Sequence, residues 1–273
     1  MTPPVAIDTH AHLADEKFDA DRDEVLKRAW DAGLSVVVEI GEEESQWPKA
    51  RALAEAHPGR VYWTAGYHPY YAIKADDGLP DRLAAELRHP ACVAVGEIGL
   101  DYHRPDSPPE VQRRVLEKLL DVAARAGKPV VLHCRDAAAP SAAAEADLLE
   151  ILRRRPDRLS DGGPAGVAHC FQGSASAAWE LLRQGFLIGV DGPLTYPNAS
   201  PLRALIGHLP LESLVLETDS PYLPPQSHRG KRNEPALLPA VVRALAELKH
   251  VAVEKIAAAT AANARRLYRL PPL

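Results

Sequence analysis

The sequence is poor in sulphur and in aromatic rings: three cysteines, one methionine, and 5% Phe, Trp and Tyr in 273 residues. An odd, sparse set of cysteines is not a disulfide framework, which wants an even and denser one. Cys92, Cys134 and Cys170 are therefore read as reduced thiols, and the chain as cytoplasmic. No apolar run approaches the roughly 18 residues of a membrane-crossing helix, so no membrane partner is expected. Residues 1–5 carry no basic stretch leading into an apolar one, so a secretory signal is not expected there. Charge of neither sign dominates. Lys+Arg is 32 and Asp+Glu 37, a formal net charge of -5, which excludes the globally basic coat of indiscriminate nucleic-acid binders. An anionic partner would have to meet a local patch. Also missing are the Gly-x-Ser-x-Gly elbow, the Walker A loop and Gly-x-Gly-x-x-Gly. Nothing in the chain asks for a serine nucleophile, ATP or NAD.

What is present is an alternation. Short runs rich in Val, Ile and Leu occur at Val5–Asp8, Leu34–Ile40, Val61–Ala65, Cys92–Glu97, Pro129–Cys134, Gly166–Cys170, Phe186–Val190 and Leu214–Glu217. Each has the length of a buried strand. Helical spacing of apolar residues is read over Arg22–Ala32, Pro109–Ala126, Glu145–Arg155, Ala175–Gln184, Pro201–Leu209 and Pro235–Lys249. Gly33, Gly127 and Gly185 follow apparent helix ends, where a left-handed cap is wanted. The alanine-rich stretch Ala137–Ala146 reads as a loop and helix start. Eight strands alternating with helices predict an α/β fold with one parallel sheet, closed as a (β/α)8 TIM barrel in a single domain, 1–273. An open doubly wound sheet is the competing arrangement.

The histidines sort by position in these units. His10 and His12 follow the first strand, His68 the third, and His133 and His169 end the fifth and sixth. Glu97 ends the fourth and Asp219 follows the eighth. In a barrel all these ends meet on one face, where active sites are built. His57, His89 and His208 fall at the other ends of their units and are read as surface or loop residues. In extended chain, i and i+2 share a face, so His10 and His12 can present both imidazoles to one ion. Four imidazoles and two carboxylates exceed the needs of one tetrahedral ion. They suit two divalent ions about 3.5–4 Å apart. Cys134 and Cys170 each follow a proposed ligand directly, so alternation points them outward as packing residues under the helices. After the eighth strand, a proline-stiffened loop carries Arg229, Lys231 and Arg232 near Asp219. With Arg135 and Arg104 these side chains are candidates to grip phosphate oxygens.

The motifs Asp8-Thr9-His10-Ala11-His12-Leu13, Gly66-Tyr67-His68-Pro69 and Gly96-Glu97-Ile98-Gly99-Leu100-Asp101-Tyr102 carry a resemblance. They continue in His133-Cys134-Arg135-Asp136-Ala137, His169-Cys170-Phe171-Gln172-Gly173-Ser174, Glu217-Thr218-Asp219-Ser220-Pro221-Tyr222-Leu223 and Arg229-Gly230-Lys231-Arg232-Asn233-Glu234-Pro235. In this order, over nearly the whole chain, the sequence resembles the TatD family of metal-dependent hydrolases, within the amidohydrolase-like barrels. The resemblance implies a deoxyribonuclease with two divalent ions (Mg, Mn or Zn), read as a 3'-5' exonuclease acting on single-stranded DNA or 3' ends. It implies that His10, His12, Glu97 and Asp219 hold one ion, and Glu97, His133 and His169 the other. Glu97 would bridge where many relatives use a carbamylated lysine. Gly189 and Asp191 depart from the family's usual residues, on the substrate face.

The catalytic residues expected are Asp219, Glu97 and His68. Asp219 orients the attacking water and takes its proton. His68 touches the substrate phosphate or leaving group, as do Arg135, Arg229, Lys231 and Arg232. Two other readings use the same residues. One is a hydrolase of another ester or amide, such as an aminoacyl-tRNA deacylase, because such a centre stabilises any oxyanion. The other is a barrel that binds metal or protein without catalysis, which a complete ligand set opposes.

Overall fold

Each apolar run forms one strand of a parallel sheet: β1 (Ala6–Ala11), β2 (Leu34–Gly41), β3 (Val61–Ala65), β4 (Cys92–Asp101), β5 (Val130–Arg135), β6 (Gly166–Ala168), β7 (Phe186–Val190) and β8 (Leu214–Leu216). The computed structural model describes residues 6–104, 106–137, 143–155, 159 and 163–271. The strands neighbour one another in sequence order from β1 to β8. The helices are α1 (Arg22–Asp31), α2 (Trp47–Ala56), α3 (Leu79–Glu86), α4 (Pro109–Ala126), α5 (Ala143–Arg153), α6 (Ala175–Arg183), α7 (Ser200–His208), α8 (Leu238–Lys249) and α9 (Val253–Tyr268). No helix among the described residues is long and apolar enough to cross a membrane.

The two ends of the sheet meet, which decides for the barrel over the open sheet. Thr9 Oγ1 donates to the Leu216 carbonyl at 3.0 Å. Just beyond β8, Asp219 N–H donates to the His10 carbonyl at 2.9 Å, and His12 N–H to the Ser220 carbonyl at 2.7 Å. Parallel strands covered on both faces read as continuous apolar runs, and the core has two corresponding layers. Ile7, Val38, Val131, Val167, Leu187 and Val215 fill the barrel. A larger cluster lies between sheet and helices. The end of α9 belongs to the inner layer: Ala264, Leu267 and Tyr268 pack with it, and Tyr268 Oη donates to the Thr9 carbonyl at 3.1 Å.

α4 shows how the sequence writes a helix. It starts at Pro109, buries Val115, Leu116, Leu119, Leu120, Val122 and Ala123, and ends at Gly127, whose φ of 60° gives the left-handed cap. Three helices escaped the apolar pattern. α2 buries only Trp47, Ala50 and Ala54, and α3 only Leu79 and Leu83. α9 buries Ala257, Thr260, Ala261, Asn263 and Ala264 between Ile256 and Leu267, and such small or polar residues carry little periodic signal. Val5 of the first expected run, and residues 138–142 of the alanine-rich stretch, lie outside the described residues.

Several strands end elsewhere than expected, and these differences matter at the site. β1 runs on to Ala11, so His10 lies within it. β4 runs on to Asp101, which puts Glu97 in mid-strand. The β4–β5 register shifts between Val95 and Ile98, and the β1–β2 register between Asp8 and Ala11. Such irregularities re-aim side chains beside functional sites. β3 approaches the β4 irregularity with a glycine. A Cβ at Gly66 would fall on the backbone of Gly96 and Glu97.

Gly66→Ala must therefore displace the β4 backbone that carries Glu97. The expected cost is about 1–3 kcal/mol, as for overpacking elsewhere. It should appear as a lower urea midpoint with an unchanged slope. A native midpoint would mean that the two backbones separate freely.

Candidate metal centre

Glu97 is the hub. It is 2% exposed, and its two oxygens face different partners. Oε2 lies 3.4 Å from His10 Nε2. Oε1 lies 2.6 Å from His133 Nδ1 and 3.1 Å from His169 Nε2. His68 Nε2 stands 3.8 Å from the same Oε1. β1 supplies the second group: His10 and His12 present their Nε2 atoms 3.1 Å apart. Asp219 Oδ1 lies 3.2 Å from the His12 nitrogen and 3.7 Å from the His10 nitrogen. The expected residues His10, His12, Glu97, His133, His169 and Asp219 thus converge. His68 joins them, its ring edge against that of His133.

The charges are strongly coupled. Burial alone would raise the pKa of Glu97, but His169, His10 and His133 hold it well below the carboxylate range. Burial would likewise raise Asp219, but His12 and His169 bring it down. Burial lowers a histidine, yet at His12 the carboxylates of Glu42 and Asp219 outweigh it and raise the group well above normal. Glu97 and Glu217 do the same for His169. His68 is pushed down to about 4, by burial first and by His133 second.

The donor set fits divalent cations. A tetrahedral ion with bonds of about 2.1 Å has ligand–ligand edges of about 3.4 Å. The triangle of His10, His12 and Asp219 has edges of 3.1, 3.2 and 3.7 Å. Buried imidazole nitrogens facing one another and facing carboxylates are the arrangement that a cation satisfies.

Other expected residues stand elsewhere. Arg135 is exposed at the end of β5. Arg104 packs over the Tyr70 ring, 5.0 Å from its centroid. In the loop after β8, Lys231 is exposed and Arg229 lies 4.3 Å over the Tyr196 ring. Arg232 has its guanidinium engaged: NH1 and NH2 donate to the Asp21 carboxylate at 2.8 and 2.7 Å, and NH1 to the Lys17 carbonyl. Away from the centre, His57 and His208 close α2 and α7, and His89 accepts from Trp63 Nε1.

Both cysteine expectations are corrected. Cys134 is exposed rather than packed under a helix. Cys170 does not point outward, because β6 ends at Ala168 and strand alternation stops there. Its φ of 44° turns the chain, and its donor atom lies within 4.8 Å of those of Asp191 and Asp219.

The surrounding carboxylates were not singled out from sequence. Glu42 Oε1 lies 2.8 Å from His12 Nδ1. Asp101 Oδ2 lies 3.1 Å from His133 Nε2. Glu217 Oε1 lies 3.5 Å from His169 Nδ1. Such partners fix the orientation of ligating imidazoles. Asp101 is four residues past Glu97 in one strand, hence on the same face, which was a usable signal. Glu42 begins Glu42-Glu43-Glu44, which reads as a solvated run. Asn233 is also buried, and Nδ2 donates to the carbonyls of Thr218 and Tyr222 at 2.7 and 2.6 Å, holding the turn that carries Asp219.

Comparison with known proteins agrees with this picture. A family model described as TatD related DNase matches residues 7–269. The chain is 37% identical over 269 residues to the 3'-5' ssDNA/RNA exonuclease TatD of Edwardsiella piscicida, covering 97% of this chain and 99% of that one. It is 35% identical over 265 residues to the uncharacterized metal-dependent hydrolase YabD of Bacillus subtilis, covering 96% and 98%. Among solved structures, the Escherichia coli TatD homologue YjjV superposes with a TM-score of 0.87 at 34% identity, covering 97% of this chain and 98% of that one. A barrel whose strand ends gather these imidazoles and carboxylates, matched along nearly its whole length, belongs to the TatD family of metal-dependent hydrolases.

Proposed function

We propose that the chain, as one barrel domain over 1–273, is a two-metal nuclease that removes nucleotides from the 3' end of single-stranded nucleic acid. The observation that carries this reading is the division of Glu97: one oxygen faces His10, the other faces His133 and His169. A carboxylate so placed suits the bridge between two ions. His10, His12 and Asp219 would complete one ion's set, and His133 and His169 the other's. The nitrogen-rich donors favour Zn or Mn, and the carboxylates with a phosphate substrate favour Mg. When bound, such ions supply Lewis acidity and a more acidic water at neutral pH.

The chain's own residues do the rest. Asp219, drawn below the usual carboxylate range by His12 and His169, is ionised and ready to hold a water and accept its proton. Glu42, Asp101 and Glu217 fix the imidazole rings from behind. His68, kept neutral near pH 7, presents a ring to the substrate phosphate or the leaving group. Arg135, Arg229 and Lys231 stand exposed on the chain's surface to meet backbone phosphates. Arg232 would have to share its guanidinium between a phosphate and Asp21. That engagement favours the second reading, hydrolysis of a less charged ester or amide, and the salt dependence of binding decides between the two. The 3'-5' polarity and the nucleic-acid substrate draw support from the name of the Edwardsiella relative.

Asp219→Asn should keep the fold and lose turnover by about a hundredfold or more, the usual share of a general base. The assay is cleavage of end-labelled oligonucleotides with Mg or Mn restored after chelation. Near-native turnover would remove Asp219 from the mechanism.

Binding of Asp219→Asn to short oligonucleotides, measured at several salt concentrations, tests the substrate class. Adding Arg229→Gln or Lys231→Gln should lower the slope of log affinity against log salt by about one unit per lost phosphate contact. Arg232→Gln should change the slope less and thermal stability only slightly, because the pair is exposed and Asp21 keeps Arg28 as a partner. Unchanged slopes in all three would turn the assignment to the ester or amide hydrolase.

A further inference from the structure

Beside the cluster around Glu97 lies a second set of donors with a different chemistry. The turn after β6 places Cys170 in the left-handed region at φ 44°. Its N–H donates to Glu217 Oε1, which pins the turn. The thiol thereby comes to the barrel mouth, where Asp191 arrives from the end of β7 and Asp219 from beyond β8. The donor atoms of the three lie within 4.8 Å of one another.

Asp191 is the telling member. It is 2% exposed, and its Oδ2 has no hydrogen-bond partner among the described residues. Buried carboxylate oxygens are rarely left so, because desolvation is not repaid. Asp219 and Glu217 set like charge beside Asp191 and only His169 answers it, while Gln172 Nε2 donates to the Cys170 sulphur at 3.4 Å. Cys170 is half-buried, so an ion has a route in from solvent.

We propose that Cys170, Asp191 and Asp219 hold a further divalent cation of the thiophilic class, zinc or cobalt, next to the pair centred on Glu97. Three protein donors would hold such an ion and leave room for a solvent ligand. A thiolate selects zinc-like ions over magnesium. On binding, the thiol releases its proton to solvent and the sulphur lone pair forms the new bond. Asp219 then belongs to both sites, and Cys170 and Asp191 are the donors particular to the new one. The inference rests on the dinuclear reading only for the number of other ions; the sulphur ligand is independent of it.

The test is titration of the chelator-stripped full chain with cobalt(II). Bound metal is counted after desalting, and thiolate-to-cobalt charge transfer is read in the near-ultraviolet. The native chain should take up three equivalents and develop the sulphur absorption. Cys170→Ser should lose the absorption, and Asp191→Asn one equivalent of three, with two retained in each. Two equivalents without sulphur absorption in the native chain would overturn the proposal. Sulphur absorption with only two equivalents is resolved by Asp191→Asn: loss of one equivalent together with the absorption keeps the sulphur site and sinks the dinuclear reading, whereas retention of both overturns the proposal. A single equivalent with the absorption would sink the dinuclear reading and leave the sulphur site standing. Cys170→Ser serves the same purpose where Asp191→Asn fails to fold.

Discussion

The barrel mouth depends on the seam where β1 meets the chain leaving β8. Thr218 donates twice to the buried Asp8 carboxylate, from its N–H at 2.9 Å and its Oγ1 at 2.6 Å. Asn233 then takes the Thr218 carbonyl. Buried hydrogen bonds to a carboxylate are among the stronger ones in proteins and costly to leave unmade. This seam closes the sheet and puts Asp219, at φ 56°, opposite His10 and His12 from the other end of the chain. Without it the sheet would be open and its terminal ligands would lie on opposite edges.

The site gathers more polar charge than a protein interior ordinarily tolerates. Glu97, Asp219, Asp8, Glu39, Glu217 and Asp191 are all buried. All but Asp191, whose Oδ2 has no hydrogen-bond partner among the described residues, are answered locally. Glu39, raised to about 8 by burial, accepts from the N–H groups of Leu13 and Ala14 just past the histidine pair. Glu97 and Asp219 are answered by imidazoles. Buried ion pairs are weak sources of stability in themselves, and breaking one partner away is costly. The arrangement is therefore one that divalent cations would consolidate, with the backbone of β1 and β4 already bent to aim the ligands.

The outer rim is held by a different network. Arg28 donates to Glu234 and Asp21, and Arg232 to Asp21. These pairs tie the loop after β8 to α1. Pairs this exposed contribute little stability apiece. Their consequence is to fix where the loop stands and to neutralise part of its charge, leaving Arg229 and Lys231 as exposed cations without an ion pair among the described residues.

The sequence by itself determined the eight strands, their alternation with helices, and the candidacy of the six expected ligands, because each lies at or just past the C-terminal end of an apolar run. His10 and His12 were legible from their spacing alone, since two residues in extended chain share a face. Only the tertiary structure decided what strand ends and turns do. Cys170 shows the limit: alternation holds while a strand lasts, and β6 stops two residues earlier. Arg232 read as a phosphate ligand until α1 brought Asp21 beside it, a contact between positions 211 residues apart. Glu42 and Glu217 were invisible as partners for the same reason, whereas Asp101 shares a strand face with Glu97 and could have been read. A sequence records which groups are present and their local period, whereas pairing across the barrel mouth is set by closure, which no local period encodes.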